Sequence, residues 1–166
     1  MPDPVSEPAP ASPPPKPLDA RTLARLHAVQ CLYQMETTGQ GVDAAVREYR
    51  QHRLGGELDG EAIRDADDAF FEALVRGVVE TQRRIDPFIQ RRLKTGWTLK
   101  RIDAVARAAL RCALYELIRL PNVPYRTIIT EYVEIAASFF GDGEAEPRFV
   151  NGVLDTAARE IRSDEA

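Results

Sequence analysis

Histidine, cysteine and tryptophan are scarce in this chain: two, two and one among 166 residues. The cysteines, Cys31 and Cys112, fall inside apolar helical patterns, where thiols act as small core residues. They offer no disulfide framework and no sign of a secreted scaffold. His27 and Cys31 are four apart and could share a helix face, but that is half a metal site at most. Neither His52 nor Cys112 has the spacing to complete it, so no metal is expected. Phosphate-cradling loops are missing too, because Gly55-Gly56 has no following lysine and no preceding strand. No nucleophile elbow, zinc motif or calcium loop occurs. These absences argue against an enzyme and leave no candidate catalytic residue and no cofactor. No apolar run approaches the roughly 18 residues of a membrane span, and no apolar leader is visible. The expected address is the cytoplasm. Net charge is −4, so any nucleic-acid site must be a local patch on a mildly acidic background.

Proline is the one residue in local excess. Eight of the twelve prolines lie within residues 2–17, among almost no large apolar side chains. Such a segment cannot bury enough surface to offset its ordering entropy, and residues 1–17 read as a disordered, polyproline-like tail. From Asp19, a candidate helix cap preceded by Leu18 as a possible staple, the pattern turns helical. Ala24, Ala28, Cys31, Leu32 and Met35 form a first stripe ending before Gly39, and Val42, Ala45, Val46 and Tyr49 a second. Gly55, Gly56 and Gly60 mark a loop. A third helix is predicted from about 61 to 84 around Ile63, Phe70, Leu74 and Val78. Gly77 in its interior costs about 1 kcal/mol relative to alanine, a cost that a close helix–helix approach would justify. Pro87 opens a short fourth helix with Phe88, Ile89 and Leu93, closing near Gly96. The fifth is the clearest: Ile102, Val105, Ala106, Ala109, Leu110, Ala113, Leu114, Leu117 and Ile118 make an unbroken apolar stripe. Pro121 and Pro124 separate it from a sixth helix (Ile128, Tyr132, Ile135, Ala136, Phe139). Pro147 is placed as first residue of a seventh (Val150, Val153, Leu154, Ala157, Ala158, Ile161). No period-2 strand is found. The fold class is all-α, with seven helices in a domain spanning 18–163.

Charge is distributed less evenly than composition suggests. Between Gln82 and Arg111 nine basic residues face two acids, Asp86 and Asp103. Arg21 and Arg25 are four apart on the first helix, and Arg148 precedes Phe149, which lies off its helix's apolar stripe. A guanidinium beside an unstacked ring suits single-stranded RNA. Solvated basic helix faces are the commoner explanation of such patterns. Arg111 reads as the anchor of an ion pair with Glu116 or Glu134 rather than as an RNA contact.

The order of several short patterns is more specific. The first helix carries Ala24-Arg25 and Ala28-Val29-Gln30-Cys31-Leu32-Tyr33; the third, Phe70-Phe71-Glu72-Ala73-Leu74-Val75-Arg76-Gly77-Val78. Next come Trp97, Arg101-Ile102, Val105 and Arg107-Ala108-Ala109-Leu110-Arg111-Cys112-Ala113-Leu114-Tyr115-Glu116-Leu117. Val123-Pro124-Tyr125 leads through Ile129, Glu131 and Glu134 to Ala136, and the last helix has Phe149-Val150-Asn151-Gly152-Val153-Leu154-Asp155. Together, over about residues 19–162, these patterns resemble the NusB family of bacterial transcription antitermination factors. The resemblance implies seven helices in two three-helix subdomains. It also implies pairing with NusE, a small-subunit ribosomal protein, binding of the boxA element of nascent ribosomal RNA, and action on an RNA polymerase antitermination complex. On the same footing, Arg21, Arg25, Arg148 and Phe149 would contact RNA, and Tyr33, Ala106 and Arg107 would lie at the partner surface. Tyr33 reads equally well as an ordinary half-buried tyrosine. Self-association through the surface that NusE covers would give a homodimer.

The chain departs from the family pattern in three places. Thr22 and Leu23 interrupt a usually longer basic run, which implies fewer phosphate contacts and a flatter salt dependence. Ala106 stands where the family is usually acidic. The segment 141–146, Gly141-Asp142-Gly143-Glu144-Ala145-Glu146, is acidic and borders Phe149, where it would either repel RNA or meet NusE. Two other readings stay open: a helical scaffold that binds only protein, and a stand-alone relative of the leading domain of RNA cytosine-5 methyltransferases. The second would need a long catalytic domain after Ala166.

Overall fold

The computed structural model describes residues 19–51 and 67–163. Within them lie six α-helices and no strand: α1 (Ala20–Thr38), α2 (Val42–Tyr49), α3 (Asp68–Gln90), α4 (Ala104–Arg119), α5 (Tyr125–Phe140) and α6 (Ala145–Ile161), with a 3-10 turn at Leu99–Arg101. The Pro-rich tail, Leu18, His52, Ile63, the glycines at 55, 56 and 60, and the expected start of the third helix lie outside the described residues.

Local chemistry accounts for most of the boundaries. Asp19 caps α1, its side chain accepting from the Arg21 amide at 3.0 Å. Gly39 ends the helix in the left-handed region at φ 76°, its N–H donating to the Met35 carbonyl at 2.8 Å. Asp67 caps α3 through the Phe70 amide, and Asp103 caps α4 through the amides of Val105 and Ala106.

One expectation is corrected here. The helices expected third and fourth are a single helix, so the described residues hold six α-helices rather than seven. Pro87 lies inside α3 without breaking it. An interior proline costs a hydrogen bond and a clash, about 3 kcal/mol. Ile85 and Ile89 sit one turn apart on either side of it, both buried, and their packing holds the helix through the proline. Pro147 is also displaced from its expected place: it is the third residue of α6, still within the first turn, where a missing N–H leaves no intrahelical bond unmade.

Helices α1, α2 and α3 pack on one another, as do α4, α5 and α6; α4 also lies against α1 and α3. The two three-helix groups therefore share one continuous core running through Phe71, Leu74, Leu110, Leu114 and Leu154. Gly77 marks a close approach between the groups. A side-chain carbon there would fall inside the ring of Tyr115, so the glycine lets α4 lay its tyrosine directly on the α3 backbone. Arg162, just past α6, closes the other end. Its Nε donates to the Leu117 carbonyl at 2.8 Å, Nη2 to Leu120 at 2.8 Å and Nη1 to Val123 at 3.0 Å. It thereby satisfies carbonyls at and beyond the end of α4 that no helix amide can reach.

Candidate RNA and partner surface

Helix α1 presents two arginines with different fates. Arg21 is exposed, and its guanidinium lies 4.5 Å from the centroid of Phe70, a cation–π contact that leaves its outer face open. Arg25 is only 3% exposed. Its Nε and Nη2 donate to the two carboxylate oxygens of Glu116, each at 2.9 Å, a bidentate fork inside the core. The Tyr132 hydroxyl donates to the same carboxylate, and Glu131 adds a second acid 3.5 Å from Arg25 Nη1. Thr22 donates to Glu131 at 3.0 Å. Burial by itself would lower the Arg25 pKa; Glu116 outweighs it and raises it, so the guanidinium stays charged. Burial, reinforced by Glu116, pushes the Tyr132 phenol well above its ordinary value. The arginine expected at the RNA edge is thus the pin joining α1 to α4 and α5.

The expected ion pair of Arg111 with Glu116 or Glu134 is replaced by another. Arg111 grips Asp86 of α3 at 2.9 and 3.1 Å, because Glu116 is already held by Arg25 and Glu134 lies exposed on α5.

Arg148 is exposed at the start of α6, with no ion pair among the described residues. Phe149 is half-buried. It lines an open groove of about 760 Å³ between the first three turns of α6 and the segment leading into α4, with Trp97, Arg101, Ile102 and Ala106 among its other walls. Arg21 and Arg25 are not brought to this groove. Arg25 meets α4 at Glu116, whereas the groove meets α4 at Ala106, ten residues earlier, or roughly 15 Å of helix rise. Of the four RNA candidates, Arg25 is therefore internal, and Arg21 lies apart from the groove that Phe149 lines.

Of the partner candidates, Tyr33 stands out on α1 at 42% exposure. Ala106 and Arg107 are buried within the chain. Ala106 contributes to the groove, and Arg107 donates to the carbonyls of Leu99 and Ile102 at 2.7 and 2.9 Å while pairing with Glu36 of α1. Arg107 thus fixes the 3-10 turn against α1.

His27 and Cys31 are core residues. His27 packs 5.5 Å from the Tyr49 ring, and burial, with Glu48, pushes the Cys31 thiol up to about 12. No cluster of three metal-ligating side chains occurs among the described residues. No described helix is long and apolar enough to cross a membrane.

The described residues define a class of all-helical protein built of two three-helix groups, with basic and aromatic side chains exposed on its surface. Within that class the chain belongs to the NusB family, whose model matches residues 22–159. It is 49% identical to the transcription antitermination protein NusB of Caulobacter vibrioides over 145 residues, which is 87% of this chain and 96% of that one. The Rhizobium meliloti protein of the same name is 47% identical over 156 residues, 94% of this chain and 96% of its own. Among solved structures, T. maritima NusB matches with a TM-score of 0.66 at 31% identity, covering 84% of this chain and 91% of its own. A chain from the crystal structure of antitermination factors NusB and NusE in complex with dsRNA matches in fold with a TM-score of 0.69 at 23% identity, covering 85% of this chain and 97% of that one.

Proposed function

We propose that this protein is a transcription antitermination factor that binds boxA RNA of nascent ribosomal transcripts together with NusE. In that role it helps RNA polymerase read through terminators. It acts in the cytoplasm by binding alone, with no chemical turnover. The observation that carries this reading is the family relationship over 22–159, almost the whole of the described helical region.

The geometry supports a division of labour. Arg21, stacked on Phe70, and Arg148, beside Phe149, offer guanidiniums to phosphates, and Phe149 offers a ring edge at the groove. Arg25 positions α1 through Glu116 rather than touching RNA. Tyr33 is the exposed contact for NusE, while Arg107 and Ala106 shape the neighbouring surface from beneath.

Electrophoretic mobility shift with a boxA RNA at low salt, with and without NusE, tests the reading. A shift that strengthens when NusE is added is expected. No shift in either lane would overturn it.

A further inference from the structure

The groove beside Phe149 has a second aromatic wall that the reading above does not use. Trp97 is 49% exposed, the most exposed large apolar side chain among the described residues. Its backbone is nevertheless held, with its N–H donating to the Lys94 carbonyl at 2.9 Å. Its carbonyl accepts from the Gln90 side-chain amide at 2.9 Å, while the Gln90 side-chain oxygen accepts from the Leu99 N–H at 3.1 Å, so one glutamine pins the backbone that leaves the residue. Arg101 lies 5.3 Å from the indole centroid and is anchored to the Gly96 carbonyl at 3.1 Å. An indole in water costs hydrophobic free energy, and an exposed one on a pinned backbone, backed by a guanidinium, presents a flat face to a ligand.

Charge around it selects the ligand. Arg91 and Arg92 are paired with Glu160, but Lys94, Lys100 and Arg101 have no ion pair among the described residues. Two acids line the same groove: Asp103, which is engaged in capping α4, and Glu146, in the first turn of α6 on the Phe149 side. Lysine is depleted from protein–protein interfaces and enriched where phosphates are met. An aromatic face flanked by free lysines and one stacked arginine fits a base with its phosphates.

We infer that Trp97 is a second RNA stacking site, taking one base of a single strand whose phosphates lie along Lys94, Lys100 and Arg101 and which continues across the groove to Phe149. This rests on the RNA-binding reading and extends it to a side of the groove that the sequence patterns left without a role.

Trp97 is the only tryptophan in the chain, so its emission reports the site directly. The full-length protein is titrated with boxA RNA while intrinsic fluorescence and mobility shift are followed in parallel. Quenching that saturates at the midpoint of the shift is expected. Trp97→Ala should weaken binding by about 5- to 150-fold, the range of a lost base–aromatic stack, and Trp97→Phe should recover most of it. Helical circular dichroism should be the same for all three. An RNA shift with unchanged emission, and Trp97→Ala binding like the wild type, would remove this site and leave the function standing. Emission that responds to NusE but not to RNA would assign the groove to protein and overturn the inference. No shift under any condition would remove the RNA reading and this site with it.

Discussion

Arg25 shows how burial decides what a charged residue does. On α1 it is one of two arginines a turn apart, yet one is solvated and the other sits against a fully buried carboxylate. Removing one partner of a buried pair leaves an uncompensated charge in a low-dielectric interior, which costs about 3–5 kcal/mol. Arg25→Met should therefore lower the free energy of unfolding in urea by that order. Replacing both members, Arg25→Met with Glu116→Leu, should recover much of the loss. A variant that unfolds like the wild type would show that Glu116 does not need its arginine. The buried thiol gives a second test at this scale. Cys31 ionises at an ordinary 9.0 when unfolded but at about 12 when folded. Between those pH values the unfolded chain has released a proton that the folded chain keeps, so stability is full below pH 9 and falls as pH rises toward 12. The slope approaches about 1.4 kcal/mol per pH unit for this group. Urea midpoints for wild type and Cys31→Ala between pH 8 and 11 should show the flatter fall in the variant.

At the scale of elements, the contact between α3 and α4 is set by one missing side chain. Tyr115 occupies the space that a methyl group at Gly77 would need. Gly77→Ala gains helix propensity of up to about 1 kcal/mol, but overpacking of this kind costs about 1–3 kcal/mol, and steric cost should win. Lower thermal stability is expected for Gly77→Ala alone, with recovery when Tyr115→Ala is added. If the single variant is more stable than the wild type, the ring yields more readily than the packing suggests. Pro87 teaches the complementary lesson. Its sequence signal for a helix start is sound locally, but buried Ile85 and Ile89 on both sides carry α3 through it.

Across the whole molecule, a net charge of −4 coexists with basic edges whose arginines escape pairing. RNA affinity should therefore fall with salt by a slope set by those few residues, about 0.7 in log–log units for each phosphate neutralised on a single strand. Arg21→Gln and Arg148→Gln should each flatten the slope by about that amount with little change in the melting temperature. Arg25→Gln should instead shift the melt, because its charge faces the core. A slope unchanged by either surface substitution would place the phosphate contacts elsewhere.

Most of the helices, the cap at Asp19, the stop at Gly39 and the close approach at Gly77 were legible in sequence, because each depends on residues within a turn or two or on helical periodicity. The family pattern was equally legible, being an order of local motifs. What sequence could not assign was the use of individual charges. Arg21 and Arg25 look alike in one dimension; only the fold puts Glu116 and Tyr132 beside one of them. Arg111 went to Asp86 for the same reason, since its preferred partner was already occupied. Trp97 and Phe149 are 52 residues apart in the chain and meet at one groove only because the segment entering α4 lies against the start of α6. The scarcity of histidine, cysteine and tryptophan and the run of prolines set from the sequence what chemistry the chain lacks. Tertiary structure decided which arginines remain free to bind, because pairing depends on distances that the order of residues does not contain.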